Sequence, residues 1–109
     1  MKPHSLTICR AGTVRSVALA HLLKYVWGHD AIAAGVDTMS PETFGMLFDW
    51  ADNIYPLEGQ FAAVIPEAHR DKVTIFEVGE DRWGNPLNPE LQNGLAAMAA
   101  QVLGPPVPR

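Results

Sequence analysis

The chain has 109 residues, 48% of them hydrophobic and 18% charged, and a net charge of −4. That size suits one small globular domain, and the acidic balance argues against a broad basic surface for nucleic acid. The lone cysteine, Cys9, excludes an intrachain disulfide and a multi-cysteine metal site.

The amino-terminal stretch turns polar again at Arg10, too soon for a signal peptide. No apolar run approaches the roughly 18 residues that cross a bilayer, so the expectation is a soluble, cytoplasmic protein with no membrane partner. Ser5 to Cys9 is a short apolar run rich in strand formers. Ser16 to Trp27 lacks Gly and Pro and places Leu19, Leu22, Leu23 and Val26 at helical spacing, with Gly28 as a stop. Ala31 to Val36 reads as a second strand. Ser40-Pro41-Glu42 opens a second helix, because Ser caps, Pro suits the first helical position and Glu favours the positive end. Phe44, Leu47, Phe48 and Ala51 are its apolar stripe.

Asp52 to Leu57 reads as a third strand, with Pro56 marking an edge or an early end. Gln60 to Arg70 is a weak helix interrupted by Pro66. Lys72 to Val78 has the strongest strand composition in the chain, and Gly79 to Asn88 is a polar loop. Asn88-Pro89-Glu90 opens the last helix, whose buried stripe is predicted as Leu91, Leu95, Met98 and Val102. Residues 1–103 thus form one α/β domain, and 104–109, with three prolines, a flexible tail. Strands alternating with helices predict a three-layer sandwich: a four-stranded parallel sheet of order 2-1-3-4 with helices on both faces. Ligands of such sheets sit at the carboxyl ends of strands. The ends at Cys9, near Glu58 and at Gly79 to Asp81 are therefore expected on one face.

The segment Cys9-Arg10-Ala11-Gly12-Thr13-Val14-Arg15-Ser16 joins the first strand to the first helix. Backbone N–H groups in such a loop converge on an anion, and the following helix turns its positive end there. A cysteine in that nest has its thiolate stabilised. Arg15, returning after five residues, can hold phosphate oxygens with its planar fork, and Ser16 can donate to the sulfur. Gly12 supplies the positive φ that a tight nest needs. Arg10, Ala11, Gly12, Thr13 and Val14 form the body of this phosphate-binding loop, with the Arg10 side chain directed to solvent, where it could attract an acidic substrate.

Cys9 to Ser16 resembles the signature loop of the low-molecular-weight protein-tyrosine phosphatases. Ala33-Ala34-Gly35-Val36 is similar to that family's second strand, and Asp49-Trp50-Ala51-Asp52-Asn53-Ile54 to its third-strand entry. Asp81-Arg82-Trp83 followed by Asn88-Pro89-Glu90-Leu91 resembles a short branch of predicted tyrosine phosphatases. The loop departs from the family at Ala11 and Gly12, where Gly and Asn are usual, and at Val14, where a second cysteine is usual. The family's Asp-Pro acid motif is absent as such.

The resemblance implies metal-free, cofactor-free hydrolysis of a phosphomonoester through a cysteinyl-phosphate, with a phosphorylated protein or a small aryl phosphate as substrate. Asp81 is the first choice for general acid, with Glu80 and Glu58 as competitors. Tyr55 and Trp83 are candidates for an aromatic substrate slot, although each also suits core packing. His4, His21, His29 and His69 lack metal-ligand spacing. The competing functions are a phosphate- or phosphopeptide-binding module without turnover and, ranked lower because further cysteines are missing, an arsenate reductase.

Overall fold

The computed structural model describes residues 2–79 and 82–106. Strand β1 spans His4–Cys9, helix α1 Arg15–Tyr25, strand β2 Asp30–Gly35, helix α2 Pro41–Trp50 and strand β3 Asn53–Pro56. Two 3-10 helices follow, Gly59–Val64 and Glu67–Lys72, and helix α3 spans Pro89–Leu103. The weak helix expected over Gln60 to Arg70 is thus two short turns. Pro66 separates them, because it cannot supply the N–H that a continuous helix needs.

The sheet is parallel but has three strands, in the order β2-β1-β3. The fourth strand predicted over Lys72 to Val78 does not form a regular ladder; a single bridge pairs Ile54 with Val73. The segment still runs beside β3, with the N–H groups of Thr74, Phe76 and Val78 donating to the carbonyls of Ile54, Pro56 and Leu57. Pro56 has no N–H to return the exchange, so reciprocal pairing stops at the Ile54–Val73 bridge where a strand needs it to continue. Strong strand composition in Val73, Thr74, Ile75 and Phe76 is overridden by one residue on the neighbouring strand.

Register brings the chemistry to one edge. His4 to Cys9 pair with Asp30 to Gly35, and Ser5 to Ile8 with Asn53 to Pro56, so Cys9 ends level with Gly35. The chain leaves β1 toward β2 and returns past it to β3. Right-handed crossovers then put α1 and α2 on opposite faces, and α3 packs on α1. Leu6, Ile8, Leu19, Leu23, Ile54, Leu57 and Phe76 form the centre of the core. In α3 the buried residues are Leu91, Leu95 and Ala99. Val102, predicted in that stripe, is 47% exposed, because α3 meets α1 along the 91–95–99 row. Gly104, at the start of the proline-rich segment, is tied down: its carbonyl accepts from Trp27 Nε1 at 3.1 Å.

Tyr55 is 2% exposed and sets its ring edge-on to Phe76. Burial pushes its hydroxyl up from the ordinary value, while a bond to Ser5 opposes the shift. It is a core residue and not a wall of a substrate slot: packing on both sheet faces buries both sides of β3. The same polar cluster includes His29, 7% exposed, with Nδ1 2.8 Å from Ser5 Oγ. Burial lowers the His29 pKa below 6.5, so the unfolded chain takes up a proton that the native state resists. The contribution of His29 to stability is therefore complete above about pH 6.5 and declines as the pH falls through that value toward the lowered one. Melting temperatures followed from pH 7.5 to 5 should fall more steeply in the parent than in His29→Gln; parallel profiles would remove His29 from the account.

Candidate active site

Cys9 closes β1 and is 3% exposed; its Sγ lies 3.0 Å from Ser16 Oγ and 3.2 Å from Gly12 N, which donates to it. The loop is oriented by its own carbonyls. Those of Cys9, Arg10 and Ala11 accept from Val36 N, Asp37 N and Thr38 Oγ1, at 3.0, 2.9 and 3.2 Å. In a trans peptide the C=O and the following N–H point in opposite directions. Turning the Ala11 carbonyl out to Thr38 therefore turns the Gly12 N–H in to the sulfur.

Two glycines permit this approach. Gly12 has φ +77°, and a Cβ there would lie 2.6 Å from Gly35 N. A Cβ on Gly35 would lie 2.3 Å from the Ala11 carbonyl carbon. The loop is thus seated on the end of β2.

Helix α1 begins immediately after the loop, and its amino end is bare. No side chain caps it and no acidic residue stands in its first turn. By contrast, Ser40 caps α2 and Asn88 caps α3, each followed by Pro and Glu. The uncapped N–H groups of α1 give this end of the loop the positive character that favours an anion. Thr7 Oγ1 donates to the Ser16 carbonyl at 2.7 Å and fixes this first turn against β1.

Arg15 is 2% exposed. Its Nη1 donates to the Gly79 carbonyl at 2.6 Å and forms an ion pair with Glu58 Oε2 at 3.2 Å, and its guanidinium lies 5.6 Å from the centre of the Phe61 ring. Its Nε is buried without a hydrogen-bond partner among the described residues. One edge of the guanidinium is thus anchored by protein, and a buried donor on the other part of the fork is open to an acceptor. Glu58, 8% exposed, also accepts from Gln60 Nε2 at 2.8 Å. The carboxylate that sequence reading offered as a general acid has its Oε2 engaged as the anchor of Arg15.

The structure sets Gly12 N and Ser16 Oγ against the Cys9 sulfur, and buries Arg15 at the start of α1 against Glu58, Phe61 and Gly79. Arg10, Ala11 and Thr13 lie exposed on the rim, and Val14 is half-buried at the helix entry. Glu80 and Asp81 lie outside the described residues. Trp83 packs partly buried against the core, with the Arg82 guanidinium 3.9 Å above its ring. Thr38, Gln60 and Phe61 escaped the sequence reading, since nothing in their local pattern points at the loop. Gly35 carried a signal: a glycine at the end of a strand beside the loop-bearing strand. Among the described residues, no three His, Cys, Asp or Glu side chains gather as a metal site, and no helix is long and apolar enough to cross a membrane.

A scan of protein-family models finds no match, and a search of curated proteins finds none. Solved structures do match. The YwlE arginine phosphatase from Geobacillus stearothermophilus superposes with a TM-score of 0.63 at 20% identity, covering 92% of each chain. The tyrosine phosphatase Wzb from Escherichia coli K30, solved with sulphate, gives 0.60 at 19% identity, covering 94% of this chain and 99% of its own. Its phosphate complex gives 0.56 at 17%. The chain has the fold of these tyrosine and arginine phosphatases, the fold that the resemblance of Cys9 to Ser16 implies.

Proposed function

We propose that the protein is a cysteine-dependent phosphomonoester hydrolase acting on phosphotyrosine or a small aryl phosphate. The observation that carries this reading is a sulfur in contact with an N–H and a hydroxyl, at the entry to a helix whose first residue is a buried arginine with an open donor. Wzb, of the same fold, was solved with sulphate and with phosphate, both tetrahedral anions.

In the first step the Cys9 thiolate attacks phosphorus in line. The S–P bond forms, the P–O bond to the leaving group breaks, and the phenolate takes a proton from Asp81. Arg15 and the loop N–H groups hold the equatorial oxygens as charge shifts onto them. In the second step the Asp81 carboxylate removes a proton from water, which attacks phosphorus. The S–P bond breaks, inorganic phosphate leaves, and Ser16 stabilises the returning thiolate. Placing Asp81 in this role is supported by the Arg15–Gly79 bond, which ties the chain two residues before it to the catalytic arginine. Trp83, two residues beyond, is assigned to the substrate slot on the same basis.

The test is hydrolysis of an aryl phosphate in the presence of a chelator, with Asp81→Asn alongside. The parent should turn over, and Asp81→Asn should lose about 10²- to 10⁴-fold in kcat while still binding phosphate. An unaffected Asp81→Asn moves the acid elsewhere. Phosphate binding without turnover in the parent replaces the hydrolase with a phosphate-binding module. Because YwlE is an arginine phosphatase, a phosphoarginine peptide is the control for substrate class.

A further inference from the structure

Two arginines share one aromatic platform at the loop. The Arg15 guanidinium lies 5.6 Å from the Phe61 ring centre and that of Arg10 lies 5.8 Å from it. Arg15 is buried and belongs to the loop interior. Arg10 follows Cys9 directly, and its side chain is 56% exposed. Its backbone is pinned, since its carbonyl accepts from Asp37 N at 2.9 Å, and Phe61 offers its guanidinium a resting surface. Arg10 therefore presents a positive charge at the rim of the loop, next in the chain to Cys9. Its neighbour in charge is Asp37, with Oδ2 3.7 Å from Nη1 and equally exposed. That separation is too long for a hydrogen bond, and an exposed pair of this kind holds together only weakly.

The rest of the molecule works against an acidic partner, because the net charge is −4. A local cation at the mouth is then what decides whether a second negative charge on the substrate is tolerated or favoured.

We infer that Arg10 is a specificity-determining residue that selects phosphorylated polypeptide segments with an acidic residue next to the phosphorylated one, and that Asp37 is the internal competitor that tempers this selection. The inference rests on the phosphatase reading. A substrate carboxylate displaces Asp37 from Arg10 while the phosphate occupies the Cys9 loop. The two rim residues must then act with opposite signs: removing Arg10 abolishes the preference, and removing Asp37 strengthens it. A merely structural ion pair has no such asymmetry, since losing either member costs the same pair.

The experiment uses two phosphotyrosine peptides that differ only by Glu or Gln on both sides of the phosphotyrosine. The readout is the ratio of their kcat/KM values, acidic over neutral, which cancels any change in basal rate. The parent should give a ratio of about 3 to 10 at low ionic strength, shrinking toward 1 near 0.5 M salt. Arg10→Gln should bring the ratio to 1 or below. Asp37→Asn should raise it by about 2- to 3-fold. A parent ratio of 1 or less, or a ratio unchanged in Arg10→Gln, overturns the assignment of Arg10. A ratio that falls in Asp37→Asn overturns the role of Asp37. Failure of the parent on both peptides while an aryl phosphate is turned over overturns the preference alone; failure on the aryl phosphate as well overturns the phosphatase reading.

Discussion

Cys9→Ser is expected to lose aryl-phosphate turnover by about 10⁴-fold or more. The hydroxyl that replaces the thiol is a far weaker nucleophile at neutral pH, and the leaving group of the second step would be an alkoxide instead of a thiolate. Folding should survive, because the new oxygen inherits the partners of the sulfur, Ser16 Oγ and the Gly12 N–H. The variant should still be stabilised thermally by inorganic phosphate, which separates loss of chemistry from loss of the loop. Ser16→Ala is the graded control. It keeps the nucleophile and removes the 3.0 Å contact to the sulfur, so a smaller loss, roughly 10- to 100-fold, should follow. Steady-state rates on all three proteins decide the matter, and comparable turnover in Cys9→Ser would dismiss the nucleophile.

Glu58→Ala should act first on stability. The Arg15–Glu58 pair is 3% and 11% exposed at its side chains, so truncating the acid leaves a buried guanidinium with Gly79 as its remaining anchor. Breaking a buried pair from one side costs about 3–5 kcal/mol. A domain of this size has about 5–15 kcal/mol in all, so the melting temperature should drop by more than about 10 °C. Glu58→Gln keeps an acceptor for Nη1 and should fall less. In the fraction that remains folded, activity should fall as well, since Arg15 no longer has its fork held in one orientation. Calorimetry of the two variants checks the order. Equal, small shifts would show that Gly79 alone holds Arg15.

Local pattern and tertiary circumstance divided the legible from the illegible. Both capped helices were readable because Ser40-Pro41-Glu42 and Asn88-Pro89-Glu90 carry their start signals within a few residues. The turn from Cys9 to Ser16 between β1 and α1 was readable for the same reason: its signals lie within one short segment. The Lys72 to Val78 segment was misread because its pairing depends on what its neighbour can donate, and Pro56 donates nothing. Tyr55 was ambiguous because alternation says which face a side chain takes and not whether that face is covered. Glu58 was recognised as a carboxylate at the right edge of the sheet, yet its task is set by a partner 43 positions earlier in the chain. No local rule reports that pairing.

The contact between the loop and the end of β2 has a consequence for what defines the loop. Gly12 and Gly35 fill each other's missing side-chain space, so neither position can gain a Cβ unless the other backbone moves. They behave as a single constraint written at two places. In this chain a side chain gained at either position has to be answered by a shift of the backbone at the other. A description of this loop that stops at Ser16 therefore omits half of what shapes it, the last residue of the adjoining strand.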